Sequence, residues 1–262
     1  MKIITLGNNK GGTGKTTITT HLGVALSKTN HRVLVIDNDS QCNATSLLLS
    51  DINFKYSMYD FLTDAVDMNR EYVVRTSFPR LYCLPNIVDT SGLSLKFVKL
   101  YPNSLFILKN ALEKIKDDFD YILIDCPPTL DLPMSMALCA SQAVIIPVEV
   151  GSQHSIDGLD KCLDLIDAMQ EFNPELSFLK LLMNRADKRT SITKIMIDEI
   201  KRNYAGEYFE TIISICTALQ QAEYLRKTLF EYSQTHPALK FYKQLAKEIT
   251  TLLPADGKPT SV

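Results

Sequence analysis

A glycine-rich segment directly after an apolar run is the feature that most constrains the fold of this chain. The apolar run is Ile3–Leu6, and the segment Asn9–Thr17 reads NKGGTGKTT. Glycines allow a backbone to close tightly around an anion, and the N-terminus of the following helix attracts a phosphate. The sequence therefore predicts a strand, a phosphate-binding loop and a helix that begins near Lys15.

Side chains of this segment can supply positive charge and a metal ligand. Lys15 is placed to reach the β- and γ-phosphates of a nucleotide, and the Thr16 hydroxyl is placed to hold Mg²⁺. A second lysine, Lys10, lies in the same loop, and Asn9 stands where the general pattern has glycine. A plain strand–turn–helix with a solvated Lys10 is the alternative. The predicted nucleotide-binding residues are Lys10, Gly11, Gly12, Thr13, Gly14, Lys15, Thr16 and Thr17.

Two carboxylates follow the second apolar run. Val33–Ile36 is followed by Asp37, Asn38 and Asp39. Alternate residues of an extended chain face the same way, so both carboxylates can face the phosphate site. We predict that Asp39 positions the attacking water and that Asp37 belongs to the Mg²⁺ shell or supports the loop. A turn in which these side chains bond to their own backbone is the alternative.

Two further apolar runs end in polar residues. Ile122–Ile124 is followed by Asp125, the Walker B pattern, and this carboxylate is predicted to hold Mg²⁺ directly or through water. Leu179–Met183 is followed by Asn184 and Arg185, which we predict to be cofactor-binding residues at the adenine. The Asn184 amide offers both a donor and an acceptor to an adenine edge, although a turn-forming asparagine explains the same residue nearly as well.

Apolar runs alternate with amphipathic segments along the chain, which predicts an α/β fold with a doubly wound, mostly parallel sheet flanked by helices. We predict one domain over residues 1–253 and a flexible tail over 254–262. The predicted strands are Ile3–Leu6, Val33–Ile36, Leu81–Leu84, Ile122–Ile124, Val144–Val148, Leu179–Met183 and Ile212–Ile215. The predicted helices are Lys15–Lys28, Leu105–Lys116, Ile156–Glu171, Ile192–Asn203 and Ala238–Leu253.

Composition narrows the class of protein. Hydrophobic residues make up 45% and charged residues 22%, as is usual for a soluble globular protein. No apolar run approaches the roughly 20 residues of a membrane span, so we expect no membrane association. The six cysteines show neither disulfide nor metal-site spacing. Residues 180–262 hold 13 Lys and Arg against 9 Asp and Glu, a net charge of +4 that weakly favours a polyanionic partner.

Three motifs together resemble the ParA family of deviant Walker-type partition ATPases, relatives of MinD and the nitrogenase iron protein. They are Lys10–Thr17, Val33–Asp39 with Gln41 and Asn43–Thr45, and Asp125–Pro128. The resemblance covers nearly the whole chain, and Tyr242–Ile249 is similar to the last helix of the family. Ser40 and Cys42 replace the usual proline and glycine of the family, a departure that concerns the hydrolysis rate rather than the ATP site.

The resemblance implies a cytoplasmic, nucleoid-associated P-loop ATPase that uses ATP and Mg²⁺. It implies an ATP-sandwich homodimer in which Lys10 reaches the nucleotide of the partner. The dimer would bind DNA without sequence preference and be released when a ParB-like or cargo adaptor protein stimulates hydrolysis. The candidate DNA-binding residues are Lys188, Arg189, Lys194, Arg226 and Lys227.

Two other functions stay open from the sequence. The first is a nucleotide-switched positioning module for a protein assembly, with little role for DNA. The second is a MinD-like or metal-cluster ATPase. MinD function needs a basic amphipathic C-terminal helix, which the end of the chain from Thr250 to Lys258 lacks. Cluster cysteines would have to include Cys126 and Cys139, and we consider that arrangement unfavourable.

Overall fold

The computed structural model describes residues 1–63, 70–151 and 159–255. A seven-stranded sheet in the order β3-β4-β2-β5-β1-β6-β7 forms its centre. Every neighbouring pair is parallel except β3 and β4, which are antiparallel. The strands are β1 Lys2–Leu6, β2 Val33–Asp37, β3 Val74–Arg75, β4 Leu81–Leu84, β5 Tyr121–Asp125, β6 Ala143–Glu149 and β7 Phe178–Asn184.

Helices cover both faces of this sheet, as the sequence predicts. The α-helices of the described residues are α1 Lys15–Ser27, α2 Asn43–Leu48, α3 Met58–Thr63, α4 Leu93–Val98, α5 Ile107–Leu112, α6 Leu132–Ala140, α7 Leu159–Gln170, α8 Ser191–Asn203, α9 Thr217–Tyr224, α10 Leu229–Tyr232 and α11 Leu239–Leu252. Short 3-10 helices lie at Arg70–Tyr72, Val88–Gly92, Asn103–Phe106 and Glu113–Asp118.

Two hydrophobic cores lie on opposite faces of the sheet, and the central strand β5 contributes to both. Ile122 and Ile124 belong to the core that includes side chains of α5, α6 and α7. Tyr121 and Leu123 belong to the core that includes side chains of α1 and α11. Successive side chains of a strand point to opposite faces, so a strand that is apolar at every position must be covered on both sides. The predicted doubly wound α/β fold is confirmed.

Two predicted elements differ from the structure, and one short strand is not predicted. The predicted strand Ile212–Ile215 is wrong, because this segment forms an isolated bridge between Ser214 and Ala186 and is not one of the strands of the sheet. Its side chains also lack the burial of an interior strand, since Ile215 is 50% exposed. The predicted helix Leu105–Lys116 is divided between α5 and its two flanking 3-10 helices. Strand β3 is not predicted, because two residues are too few to show a pattern of alternating apolar and polar side chains.

Two predictions reach beyond the described residues. The predicted helix Ile156–Glu171 is α7 from Leu159 onward, and its first three residues lie outside the described ranges. Of the predicted tail, residues 256–262 also lie outside them.

Candidate functional site

The residues predicted to hold phosphate and metal meet at the carboxyl ends of three neighbouring strands. Leu6, the last residue of β1, pairs in register with Asp125 of β5. Asp37, the last residue of β2, pairs with Asp125 from the other side. Parallel strands bring their carboxyl ends to one edge of a sheet, where ligands of such folds bind. The glycine-rich loop starts at this edge.

Two glycines give the loop its shape. Gly12 and Gly14 have φ angles of 78° and 88°, in the left-handed region that side chains other than glycine adopt at a cost. Gly14 is also the N-cap of α1. A Cβ at Gly14 would lie 2.4 Å from Nδ2 of Asn184, so this position has no room for a side chain.

The Lys15 ammonium group is folded back onto the loop. Its Nζ donates hydrogen bonds to the backbone oxygens of Asn8 and Lys10, at 3.1 and 3.0 Å. The residue is only 7% exposed. Burial lowers the pKa of Lys15, while Asp125 and Asp39 nearby oppose that shift. The loop therefore holds a cation at the place where the sequence predicts the phosphates.

Thr16 and Asp125 form a direct pair. The Thr16 hydroxyl donates to Oδ2 of Asp125 at 2.7 Å, and the Thr19 hydroxyl donates to Oδ1 at 3.2 Å. Burial and the neighbouring Asp37 raise the pKa of Asp125 to about 8. A hydroxyl and a carboxylate are the hard oxygen ligands that Mg²⁺ prefers, so this pair fits the predicted metal site.

Asp37 bonds to the chain that follows it. Its Oδ2 accepts from the backbone N–H and the hydroxyl of Thr45, at 2.8 and 2.7 Å, and its Oδ1 accepts from the Asp39 N–H at 3.3 Å. The side chain is fully buried, and burial raises its pKa to about 6. These bonds fix the loop between β2 and α2, which agrees with the supporting role. The role of Asp37 in the Mg²⁺ shell stays a prediction.

Asp39 lies on the cleft side of the same loop. Its Oδ1 accepts from the Gln41 N–H at 2.9 Å, and the residue lines the cleft described below. Cys42, three residues after Asp39, is the N-cap of α2. Its φ is 56°. The departure noted in the sequence therefore falls on a left-handed position, which glycine occupies with less strain.

A cleft of about 700 Å³ opens between the glycine loop and a second wall. The second wall is formed by residues 214–226, with α9 at its centre, and Tyr242 of α11 also lines the cleft. The Thr17 hydroxyl donates to Oε1 of Glu223 and so joins the two walls. Sequence reasoning missed this wall: Ser214, Ile215, Cys216, Leu219, Gln220 and Glu223 line the cleft but carry no motif.

Asn184 and Arg185 line the cleft and bond to the glycine loop. Nδ2 of Asn184 donates to the Thr13 oxygen at 2.7 Å, and Nη1 of Arg185 donates to the Gly12 oxygen at 3.0 Å. Arg185 also lies 3.6 Å from the carboxylate of Glu149. These contacts assign both residues a part in shaping the loop. Their contact with adenine stays a prediction.

Lys10 lies in the glycine loop of this site, and of the candidate DNA-binding residues Arg226 lines its cleft. Within residues 1–63, 70–151 and 159–255, the Lys10 ammonium makes no hydrogen bond or ion pair. Lys227 follows Arg226 on the surface. The other three are exposed on the loop after β7 and on α8: Lys188, Arg189 and Lys194. The structure thus places the five candidates on three segments: the loop after β7, α8 and the loop after α9.

Comparison with known proteins identifies the family. The AAA_31 family model, an AAA domain, matches residues 1–178. The chain is 33% identical over 250 residues to the sporulation initiation inhibitor protein Soj of Bacillus subtilis, covering 95% of this chain and 98% of Soj. It is 29% identical to the chromosome partitioning protein ParA of Myxococcus xanthus, over 95% and 87% of the two chains. This chain belongs to the ParA family.

A solved structure places a nucleotide on the same fold. Cobyrinic acid a,c-diamide synthase from Mycobacterium smegmatis, with a bound ATP analogue and magnesium, superposes with a TM-score of 0.79. The identity is 25%, and the alignment covers 94% of this chain and 93% of the synthase. The ParA-family chain is accordingly a P-loop ATPase whose cofactors are ATP and Mg²⁺, as the sequence predicts, and it belongs with the positioning ATPases of the Soj and ParA type.

The described part of the chain has no helix with the length and apolar character of a membrane span.

Proposed function

We propose that this ATPase positions DNA or a DNA-bound cargo by nucleotide-gated dimerisation. In the ATP state two subunits enclose two nucleotides, and the dimer binds DNA without sequence preference on the cytoplasmic nucleoid. A ParB-like or cargo adaptor protein stimulates hydrolysis and releases the dimer. The names of the relatives Soj and ParA support this role, since the second is a chromosome partitioning protein.

The observation that carries the proposal is the position of Lys10. The loop curls so that the Lys10 carbonyl binds Lys15, while the Lys10 ammonium takes no partner within the described residues. Gly11 and Gly12 beside it are exposed, so the loop presents a bare backbone to another molecule. A charged side chain on such a loop can neutralise a phosphate of a nucleotide bound to a second copy.

The chemistry of one subunit follows from its own residues. Lys15 lies in the loop to neutralise charge on the β- and γ-phosphates, and Asp39 in the cleft is placed to orient a water. Thr16 and Asp125 would hold Mg²⁺, which neutralises charge that develops on the phosphate oxygens. Positioning and charge neutralisation together supply most of the catalysis in this class of reaction.

Dimerisation tests the proposal directly. Light scattering with ATP and Mg²⁺ should show a dimer for the parent protein and a monomer for Lys10→Ala. Nucleotide affinity of Lys10→Ala, measured by calorimetry, should stay within about threefold of the parent, because a residue acting across the interface is not needed for the first binding event. Lys15→Ala should instead abolish nucleotide binding.

A matched control separates the interface role from general charge loss. Lys99→Ala removes an exposed lysine after α4 and should dimerise like the parent. The proposal fails if Lys10→Ala dimerises and hydrolyses ATP at the parental rate. A protein that dimerises but binds no DNA in any nucleotide state would favour the protein-assembly module instead.

A further inference from the structure

A histidine is buried in the core between α1 and α11. His21 lies on α1, beyond Lys15, and is fully buried. Its ring stacks on Tyr242 with centroids 4.7 Å apart and lies 6.1 Å from the ring of Phe230. Burying a polar ring without hydrogen bonds costs free energy, so both ring nitrogens need partners. These partners show which segments the ring connects.

Both ring nitrogens are bonded to backbone groups of different segments. The Leu229 N–H donates to Nε2 at 2.8 Å, and Nδ1 lies 2.7 Å from the Thr17 oxygen. An amide N–H can only donate, so Nε2 must be the acceptor and the ring proton must be on Nδ1, from which it is donated to Thr17. His21 is therefore a neutral bridge between the first turn of α1 and the start of α10.

The two ends of the bridge lie next to the two walls of the nucleotide cleft. Thr17 belongs to the glycine loop and the start of α1. Leu229 follows Arg226, the last residue of the second wall, by three positions. The Thr228–Glu231 capping box fixes the start of α10, with hydrogen bonds of 2.9 and 3.0 Å from Thr228 to Oε2 of Glu231. A shift of Leu229 therefore moves the end of the second wall.

Tyr242 connects the same histidine to the cleft by a second route. It stacks on His21 and also lines the cleft. The position of the ring thus fixes a lining side chain from α11 in addition to the wall formed by α9. Neither contact involves Asp39, Thr16 or Asp125, which lie on the side of the metal and the attacking water.

We propose that His21 is a positioning residue for nucleotide binding, which holds the second wall and Tyr242 at a fixed distance from the glycine loop. The inference uses the ATPase activity of the family and does not depend on dimerisation or DNA. Loss of the bridge should weaken nucleotide binding and leave the turnover of bound nucleotide nearly unchanged.

Two substitutions at this position separate the bridge from the packing. His21→Phe keeps an aromatic ring against Tyr242 but leaves the Leu229 N–H without its acceptor and removes one of the donors to the Thr17 oxygen. His21→Gln removes the ring but provides a donor and an acceptor. We expect His21→Phe to raise the Mg-ADP dissociation constant about tenfold, the effect of removing roughly one buried hydrogen bond. His21→Gln should restore it to within about threefold, and kcat should change by less than about twofold in both.

Ile166→Ala provides the control for a merely structural effect. Ile166 is buried on α7 in the core on the other face of the sheet, so its truncation destabilises the protein without touching the cleft. It should bind Mg-ADP like the parent. The proposal is overturned if Ile166→Ala weakens binding as much as His21→Phe, if His21→Phe binds normally, or if the loss appears in kcat alone.

A measurement on the parent protein covers the case in which His21→Phe does not fold. Mg-ADP should slow hydrogen exchange at the Leu229 amide about tenfold or more beyond any global slowing, because a ligand that contacts the wall stabilises it against local opening. Exchange at Leu229 that follows only the global change would overturn the inference. Absence of ADP binding by the parent itself would instead contradict the ATPase assignment.

Discussion

Asp37 and Asp125 are adjacent in register at the ends of β2 and β5, yet their carboxylates bond to different parts of the site. Asp125 accepts from Thr16 of the glycine loop, whereas Asp37 accepts from Thr45 of α2. One strand end thus bonds to the glycine loop and the other fixes the loop that carries Asp39. This division explains how two buried acids can share a sheet edge without the same role.

The first prediction concerns Asp39. Asp39→Ala should keep nucleotide affinity within about threefold while hydrolysis falls about 100-fold, because a water-orienting carboxylate acts in the transition state. Single-turnover phosphate release together with calorimetry measures both quantities. Gln41→Ala, which keeps the carboxylate and alters a neighbouring cleft residue, is the control. If affinity collapses while turnover of bound nucleotide is normal, Asp39 is a binding residue.

The second prediction concerns the exposed basic residues. Arg189 is 86% exposed and bonds to Asp187 at 2.8 and 2.7 Å. In a DNA titration with ATP, Arg189→Ala and Lys194→Ala should each weaken binding similarly for unrelated sequences. The log–log salt slope should become shallower by about 0.9 for each DNA phosphate that the variant no longer neutralises. Lys116→Ala, an exposed lysine paired with Glu113, should change neither quantity. Binding that is equal with ATP, with ADP and without nucleotide would contradict the gated function.

Arg226 belongs to a different class from these residues. Because it lines the nucleotide cleft, Arg226→Ala should raise the Mg-ADP dissociation constant in addition to any effect on DNA. The sequence could not distinguish this arginine from Arg189, since both are basic residues of the same positively charged third of the chain. Only the folded structure shows that the loop after α9 lies across the cleft from the glycine loop.

The sequence predicts those parts of the candidate site that belong to local motifs. The glycine loop, Asp37, Asp39 and Asp125 follow apolar runs directly, and the parallel sheet then brings their ends together. The second wall, by contrast, depends on contacts between residues far apart in the chain, such as Thr17 with Glu223. Ile212–Ile215 misled the prediction because a short apolar run beside the edge strand β7 looks like a strand when only its periodicity is considered.

The third prediction uses the backbone strain at Cys42. Cys42→Gly should raise the free energy of unfolding by about 0.5–1 kcal/mol, since the left-handed conformation costs other residues more than it costs glycine. Urea unfolding measures the change. Asn30, at φ 71° after α1, is the matched control. Asparagine tolerates this conformation, so Asn30→Gly should raise the free energy of unfolding by less than Cys42→Gly does. A decrease in stability for Cys42→Gly would show that its Sγ contact with Ser40 matters more.

The fourth prediction is a pH dependence of stability from His21. Burial lowers the pKa of His21 from 6.5 to about 4. Below pH 6.5 the unfolded chain takes up a proton that the folded protein does not, so the free energy of unfolding falls as the pH decreases toward 4. The decrease should reach about 3 kcal/mol, at about 1.4 kcal/mol for each pH unit. Above pH 6.5 this contribution is constant.

Urea unfolding of the parent and of His21→Gln at pH 7, 6, 5 and 4 isolates that contribution. Carboxylates titrate in both proteins, so the difference between the two curves belongs to residue 21. The curves should converge as the pH falls. Parallel curves over this range would contradict the assignment of a neutral, buried imidazole.

The edges of the sheet have a consequence for self-association. On one side the sheet ends in the two residues of β3. On the other side, backbone groups of β7 already bond to the chain that follows: Leu181 N–H donates to Glu207, and Phe209 N–H and Ile213 N–H donate to Leu181 and Met183. Unpaired strand edges are the usual templates for aggregation. Within residues 1–63, 70–151 and 159–255, neither edge offers a long ladder to a second molecule, so concentrated protein should resist edge-to-edge polymerisation into β-fibrils.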